Sequence, residues 1–288
     1  TGVISDETRD KNIGIFKTAL EKVTDLNNWH SFLNLFAEAG YLNKSLVASN
    51  YVVVFSYVLY LLGKDEYKVQ PIELRKVITR WIFMTTVTSF YSNSPESTVE
   101  RQLADLRSIK SASDFVEYLN QTIKQKMNDS YFNVELINDL TSSAASSPVW
   151  YGYIASINVL GTPMLFSNTP LSKYWVLGSD GMKKAIDKHH IFPKQHLADI
   201  GIPDDRDRNQ LANFTYLDYN TNIDISDDAP ALYVERYKAK LGEEGYAKAC
   251  AENALPKNFE TLGYFEFLAE RRVLMAGIIR KAFEKLWK

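Results

Sequence analysis

From Glu7 to about Leu160, apolar residues recur three and four positions apart almost without a break, and this period limits the possible folds more than any other feature. In ETRDKNIGIFKTALEKVTDL, the residues Ile13, Phe16, Ala19, Leu20 and Val23 share one side of a helix, so a buried stripe is expected there. Comparable helices are expected over Trp29 to Tyr41, Ser45 to Leu62, Ile72 to Tyr91 and Pro95 to Leu106. The start signals agree. Ser94 stands before Pro95 at a first helical position, and Ser111 with Asp114 makes a capping-box pattern. The run RWIFMTTVTSFY, Arg80 to Tyr91, reads as core. A mainly α chain that begins with a helical bundle is implied.

Between Leu160 and Asp187 the texture changes. Gly161, Pro163, Pro170, Gly178 and Gly181 fall among short apolar pieces, a composition that breaks helical periodicity. A boundary near Pro163 divides a bundle domain, 1–162, from a second domain, 163–288. The second is expected to hold a strand around the histidines, a solvated loop over IPDDRDRNQ, a strand-like LANFTYLDY, and helices ending in an amphipathic segment from Phe259 to Lys288.

The formal charge of −2 over 288 residues gives no global attraction to nucleic acid or anionic membrane, so a polyanion must be met by a local patch. Cys250 is alone, cannot form an internal disulfide, and reads as a small buried apolar residue in a reducing, cytoplasmic compartment. The longest apolar run, Tyr51 to Leu62, falls short of the roughly 20 residues of a membrane span. The start at Thr1, with no signal-peptide pattern, suggests a fragment or processed piece.

The stretch DKHHIFPKQHL, Asp187 to Leu197, carries three of the four histidines. Neutral imidazole is both a metal ligand and a proton acceptor near neutral pH. On a strand adjacent side chains point to opposite faces, so His189 and His190 suggest two jobs. Pro193 cannot continue a central ladder and ends the strand just beyond the pair. Downstream, RNQLANFTYLDYNTNIDIS supplies Asn209, Asn213, Asn220 and Asn222. An Asn carboxamide oxygen suits Mg²⁺ or Mn²⁺, and its amide can staple a loop to backbone carbonyls.

HHIFPK followed by NQLANFTYLDYNTN resembles the HNH, or His-Me finger, endonuclease domain. It is especially similar to the version at the C-terminus of bacterial anti-phage proteins of the type IV restriction kind, the GmrSD-type and phosphorothioate-sensing nucleases. The resemblance covers roughly Lys188 to Ile225, and the preceding bundle resembles the linker region of those proteins without a motif as sharp. It implies a ββα-metal finger packed with the C-terminal helices. It also implies His189 as first metal ligand, His190 as general base, Asn213 as loop brace and Asn222, by its spacing from Asn213, as second ligand. The implied cofactor is Mg²⁺ or Mn²⁺. Because His189 stands where many such domains have Asp, the preference shifts toward Mn²⁺ or other imidazole-tolerant ions. The implied substrate is DNA, nicked or cut through to leave a 5′ phosphate. An N-terminal ParB-like NTPase sensor domain normally comes first in these proteins, and nothing from Thr1 onward looks like it, so the chain reads as the effector part of a restriction system.

For DNA contact, Lys194 lies beside the motif, while Lys281, Lys285 and Arg271 lie on the last amphipathic segment. Several residues carry plainer readings: His196 as a surface or supporting residue on a helix after Pro193, Asn209 and Asn220 as turn residues, and His30 as a packing histidine. Asp204, Asp205 and Asp207, interleaved with Arg206 and Arg208, read as a solvated loop. Two other classes compete. One is a zinc-stabilised binding module, which the lone Cys250 disfavours; the other is a helical DNA- or protein-binding scaffold with an inactive finger.

Overall fold

The computed structural model describes residues 5–144, 146–174 and 186–288. Gly178 and Gly181, which helped to mark the break after Leu160, lie outside the described residues. Helices α1 to α6 span Asp6–Thr24, Leu26–Glu38, Asn50–Leu61, Pro71–Val87, Pro95–Leu106 and Ala112–Lys126. Then come α7 (Leu136–Asp139), α8 (Pro148–Leu160), β1 (Ile186–His190), α9 (Lys194–Asp199) and α10 (Asp205–Arg208). β2 (Phe214–Asp218), α11 (Tyr219–Ile225), α12 (Pro230–Glu252) and α13 (Tyr264–Lys285) complete the order. The protein is mainly helical, with a two-stranded antiparallel sheet among the described residues.

Helix α4 organises the bundle. Every residue from Val77 to Val87 is buried, and α2, α3, α6 and α8 pack around it. Its one charge in that run, Arg80, is accommodated by a bond to Asn120 Oδ1 at 3.0 Å and by the Trp287 ring 4.3 Å away. Helix α8 lies close enough to α4 that a Cβ on Gly152 would meet Val87 Cγ2 at 2.5 Å. Helix α13 closes over the bundle, with Phe283 5.7 Å from Phe132 and 6.5 Å from Phe83. The buried apolar residues form one core from Phe32 through Trp150 to Phe283.

Several expectations change at this point. Helix α1 forms but buries none of its residues, and Phe16 remains 66% exposed. Periodicity identifies an apolar face without supplying a partner for it; α1 is held at its C-terminal end, where Asn28 and Trp29 donate to the carbonyls of Lys22 and Val23. His30 is exposed, so it is no packing histidine. Ser111 caps α6 by accepting from the Asp114 N–H at 3.1 Å, as its pattern implies. Ser94 precedes Pro95 but makes no side-chain cap bond and takes a left-handed φ of 48°. The Ser45 to Leu62 segment divides into a 3₁₀ turn at Lys44–Leu46 and α3. IPDDRDRNQ is not wholly solvated loop: α10 forms within it, capped by Asp204, and Arg208 to Gln210 are half-buried. Among the described residues no helix is long and apolar enough to cross a membrane.

β1 and β2 pair antiparallel, with Lys188 opposite Tyr216, His189 opposite Thr215 and His190 opposite Phe214. Asp218 ends β2 and starts α11, accepting from the Thr221 N–H at 2.9 Å. Pro193 caps α9 with φ −60° and ψ 148°, a conformation its ring favours. Phe192 just before it is buried against Phe267, Tyr264 and Phe259 of the C-terminal segment. The hairpin is thus anchored one residue beyond Ile191, and the histidines sit at its mouth.

Candidate active site

Strand alternation sorts the site. Lys188 and His190 share a face with Tyr216 and Phe214, toward Trp150 of α8, whereas Asp187 and His189 share the face toward α11. The two imidazoles therefore take different partners. His189 Nδ1 lies 2.8 Å from Asn222 Oδ1, and Asn222 Nδ2 donates to Asp187 Oδ2 at 3.1 Å. His190 Nε2 lies 3.0 Å from Asn209 Oδ1. A carboxamide oxygen only accepts, so His189 carries its hydrogen on Nδ1 and His190 on Nε2. The lone pairs are left on His189 Nε2, which is buried without a hydrogen-bond partner among the described residues, and on His190 Nδ1.

Burial disfavours both imidazolium forms. His189 is lowered to about 4, chiefly by desolvation, against the opposing Asn222 bond. His190 is also lowered, again chiefly by desolvation, with the Asn209 bond opposing and the nearby charges of Lys194, Lys188 and Arg208 adding to it. Both rings are neutral at pH 7, the state needed for a ligand or a base. Their surroundings differ in sign. The carboxylates of Asp227 and Asp187 act on His189, and cations act on His190.

Behind the pair, Asn213 is fully buried and ties two backbone segments, at Phe192 and at Arg208, to its own. Its Oδ1 accepts from the Phe192 N–H at 2.8 Å, while its Nδ2 donates to the carbonyls of Phe192 at 3.0 Å and Arg208 at 3.1 Å. One amide thus fixes the backbone just after His190 and just before Asn209. Further polar contacts hold this knot from outside: Tyr233 Oη donates to Ile191 O at 2.8 Å, and Tyr264 Oη to Asp207 O at 2.8 Å.

Arg271 belongs to the same support and is not a surface cation for DNA. It is fully buried, and its Nη1 donates to Ala212 O at 2.7 Å and Phe214 O at 2.8 Å, on either side of Asn213. An amphipathic pattern does not say which charge on a helix turns inward. Lys281 and Lys285 are exposed, and Lys285 donates to Val159 O at the end of α8. They follow Arg271 by ten and fourteen residues, roughly 15 and 21 Å along the helix, and neither lines the cleft that holds His189 and His190.

His189, His190 and Asn222 line a cleft of about 450 Å³ together with Lys188, Lys194 and Asp227. Lys194 forms an ion pair with Asp205 at 3.3 Å, and Arg208 shares the same carboxylate at 2.9 Å. His196 sits on α9, half-buried beside Phe192 and outside the cleft lining, and Asn220 is exposed. Among the described residues no group of three or more His, Cys, Asp or Glu is gathered as for a metal ion. The donors that fit one are His189 and Asn222. His189 Nδ1 and Asn222 Oδ1 stand 2.8 Å apart and share a hydrogen, so a cation held by both would replace that hydrogen, with the ring carrying its proton on Nε2 instead. Cys250 is buried beside Tyr246 and Glu260, and burial pushes its thiol up to about 11, so it stays protonated and is a poor ligand.

The sequence assigns no role to Asp187 or Lys188, and it presents Asn209 as a turn residue, whereas its Oδ1 meets His190 Nε2. The first two were accessible in principle, because a strand through the histidines puts Asp187 on His189's face and Lys188 on His190's. Asn209 carries no such signal: it reaches His190 only because Asn213 folds the intervening turn back on itself. No family model, curated protein or solved structure matches the chain.

Proposed function

We propose that the protein is a divalent-metal-dependent DNA endonuclease of the HNH kind, with β1, β2 and α11 serving as its ββα-metal finger. The observation that carries this reading is the division of one cleft into two halves. A neutral imidazole surrounded by cations lies beside a neutral imidazole that is bonded to a carboxamide and flanked by carboxylates. An anionic phosphodiester suits the first half and a cation the second.

His190 Nδ1 takes a proton from water, the hydroxide attacks phosphorus, and the P–O3′ bond breaks, leaving a 5′ phosphate and a 3′ oxygen that takes its proton from solvent; positioned general bases contribute about 10²–10⁴-fold. Asn209 keeps the hydrogen of His190 on Nε2, so the lone pair stays on the nitrogen that acts. Asn213 holds the strand end from which His190 projects. His189 and Asn222 would hold one Mg²⁺ or Mn²⁺, a Lewis acid that would offset the negative charge of the transition state. A role as effector of a bacterial anti-phage system, working with an NTPase sensor, extends the same reading and rests on the motif from Lys188 to Ile225.

Incubation of the protein with supercoiled plasmid in Mg²⁺, Mn²⁺ or EDTA tests the reading. Open circles or linear DNA are expected with either ion and none with EDTA. Intact plasmid under all three conditions at micromolar protein would overturn it and favour the inactive scaffold.

A further inference from the structure

Lys188 lies two residues before His190 on the same face of β1 and lines the cleft. Its ammonium sits 3.6 Å from the centroid of the Phe214 ring and 5.3 Å from that of Trp150. The same Phe214 ring lies 4.6 Å from the ring of His190. One aromatic side chain therefore fixes both the cation and the proposed base. The other cations at this end of the cleft are already engaged, since Asp205 binds both Lys194 and Arg208. No carboxylate lies within ion-pair distance of Lys188 among the described residues. Aromatic rings stabilise an ammonium but leave its hydrogen-bond donors unused. A half-buried, unneutralised lysine held beside a base gains most from an oxyanion brought into the cleft.

We infer that Lys188 is a substrate-binding residue whose Nζ contacts a non-bridging oxygen of the DNA phosphodiester presented to His190. The inference rests on the endonuclease reading, and it gives the chain, with a formal charge of −2, the local phosphate contact that its net charge does not supply. A charge-assisted bond of this kind is worth about tenfold or more in affinity. One phosphate contact also contributes about one unit to the slope of log affinity against log salt.

The experiment measures binding of a fluorescent duplex by anisotropy across a salt series, in the His190→Ala chain with Mg²⁺ so that the duplex stays intact. Lys188→Met, which keeps the stem on Phe214 and Trp150, is expected to weaken binding about tenfold and to shallow the salt slope by about one. Lys188→Arg is expected to keep both. Lys188→Gln supplies the same reading should the methionine variant not fold. If Lys188→Met or Lys188→Gln binds with unchanged affinity and slope while the otherwise wild-type chain nicks plasmid, Lys188 merely packs on the aromatic rings and the inference falls alone. If the salt slope changes as expected but the wild-type chain never cuts DNA, the endonuclease reading fails and the phosphate contact stands. A chain with no measurable affinity for the duplex overturns both.

Discussion

Helix α4 and strand β1 are stabilised in opposite ways. From Val77 to Val87 every side chain of α4 is buried, and most of that run is apolar. In β1 the four residues from Asp187 to His190 are all half-buried, and none of them is apolar. The bundle is held by area removed from water, which spreads over many residues and is insensitive to the exact position of any one atom. The hairpin is held by a few directed bonds, from Asn213, Arg271, Tyr233 and Tyr264, each with a specific atom to reach. The contrast suggests a division of labour, in which the bundle provides stability and the polar knot provides position.

Substitutions can break or sharpen that division. The largest effect on stability is expected at Trp81, which is fully buried in α4: Trp81→Ala costs about 3–5 kcal/mol by denaturant unfolding. If the protein remains folded under assay conditions, the DNA-cleavage rate per folded molecule is unchanged. Asn213→Ala is expected to cost less, about 2–3 kcal/mol, because it strands the Phe192 N–H and two carbonyls in the interior. On the endonuclease reading it is nevertheless expected to abolish cutting with every ion, since the strand end carrying His190 is no longer fixed. Equal loss of activity per folded molecule in the two variants would erase the distinction.

His189→Ala and Asn222→Ala test the cation half of the cleft. Each is expected to weaken Mn²⁺ affinity in a calorimetric titration by at least the factor of about 10–100 typical of losing a residue that supports a ligand, with cutting partly restored at high Mn²⁺. The pH dependence is a smaller effect with a definite sign. His189 is lowered to about 4 in the folded state from about 6.5 when unfolded, so between these values the unfolded chain binds more protons. Stability therefore rises with pH from about 4 to 6.5 and is lost as pH falls through that window. Urea midpoints at pH 5 and pH 7 should differ in this direction, and His189→Gln, which cannot titrate, should reduce the difference. Smallest of all is Lys281→Ala on the outer surface of α13, expected to change stability by less than about 0.5 kcal/mol and duplex affinity not measurably.

The same contrast explains what was legible in the sequence. Helix existence was readable because it follows from period alone, and the two strand-like segments around the histidines and LANFTYLDY were readable from composition, whereas their pairing as β1 and β2 was expected only through the resemblance. Which faces are covered was not readable, as the exposed stripe of α1 shows, because burial depends on a partner that the pattern does not name. In the site, His189, His190 and Asn222 line one cleft, and Asn213 bonds the backbone behind it. Asn209 and Arg271 escaped for a physical reason. Their roles are set by bonds across 19 and more than 50 residues, and neither lies on a periodic face that would point to the histidines.

The most direct test compares wild type with His190→Ala in one experiment that records unfolding midpoint, Mn²⁺ affinity and single-turnover cleavage of a duplex. The expected result is an unfolding midpoint and metal affinity close to wild type with cleavage slowed by about 10²–10⁴-fold. If His190→Ala cleaves as fast as wild type under conditions where EDTA abolishes cutting, His190 is not the base. His196 on α9 then becomes the next residue to substitute.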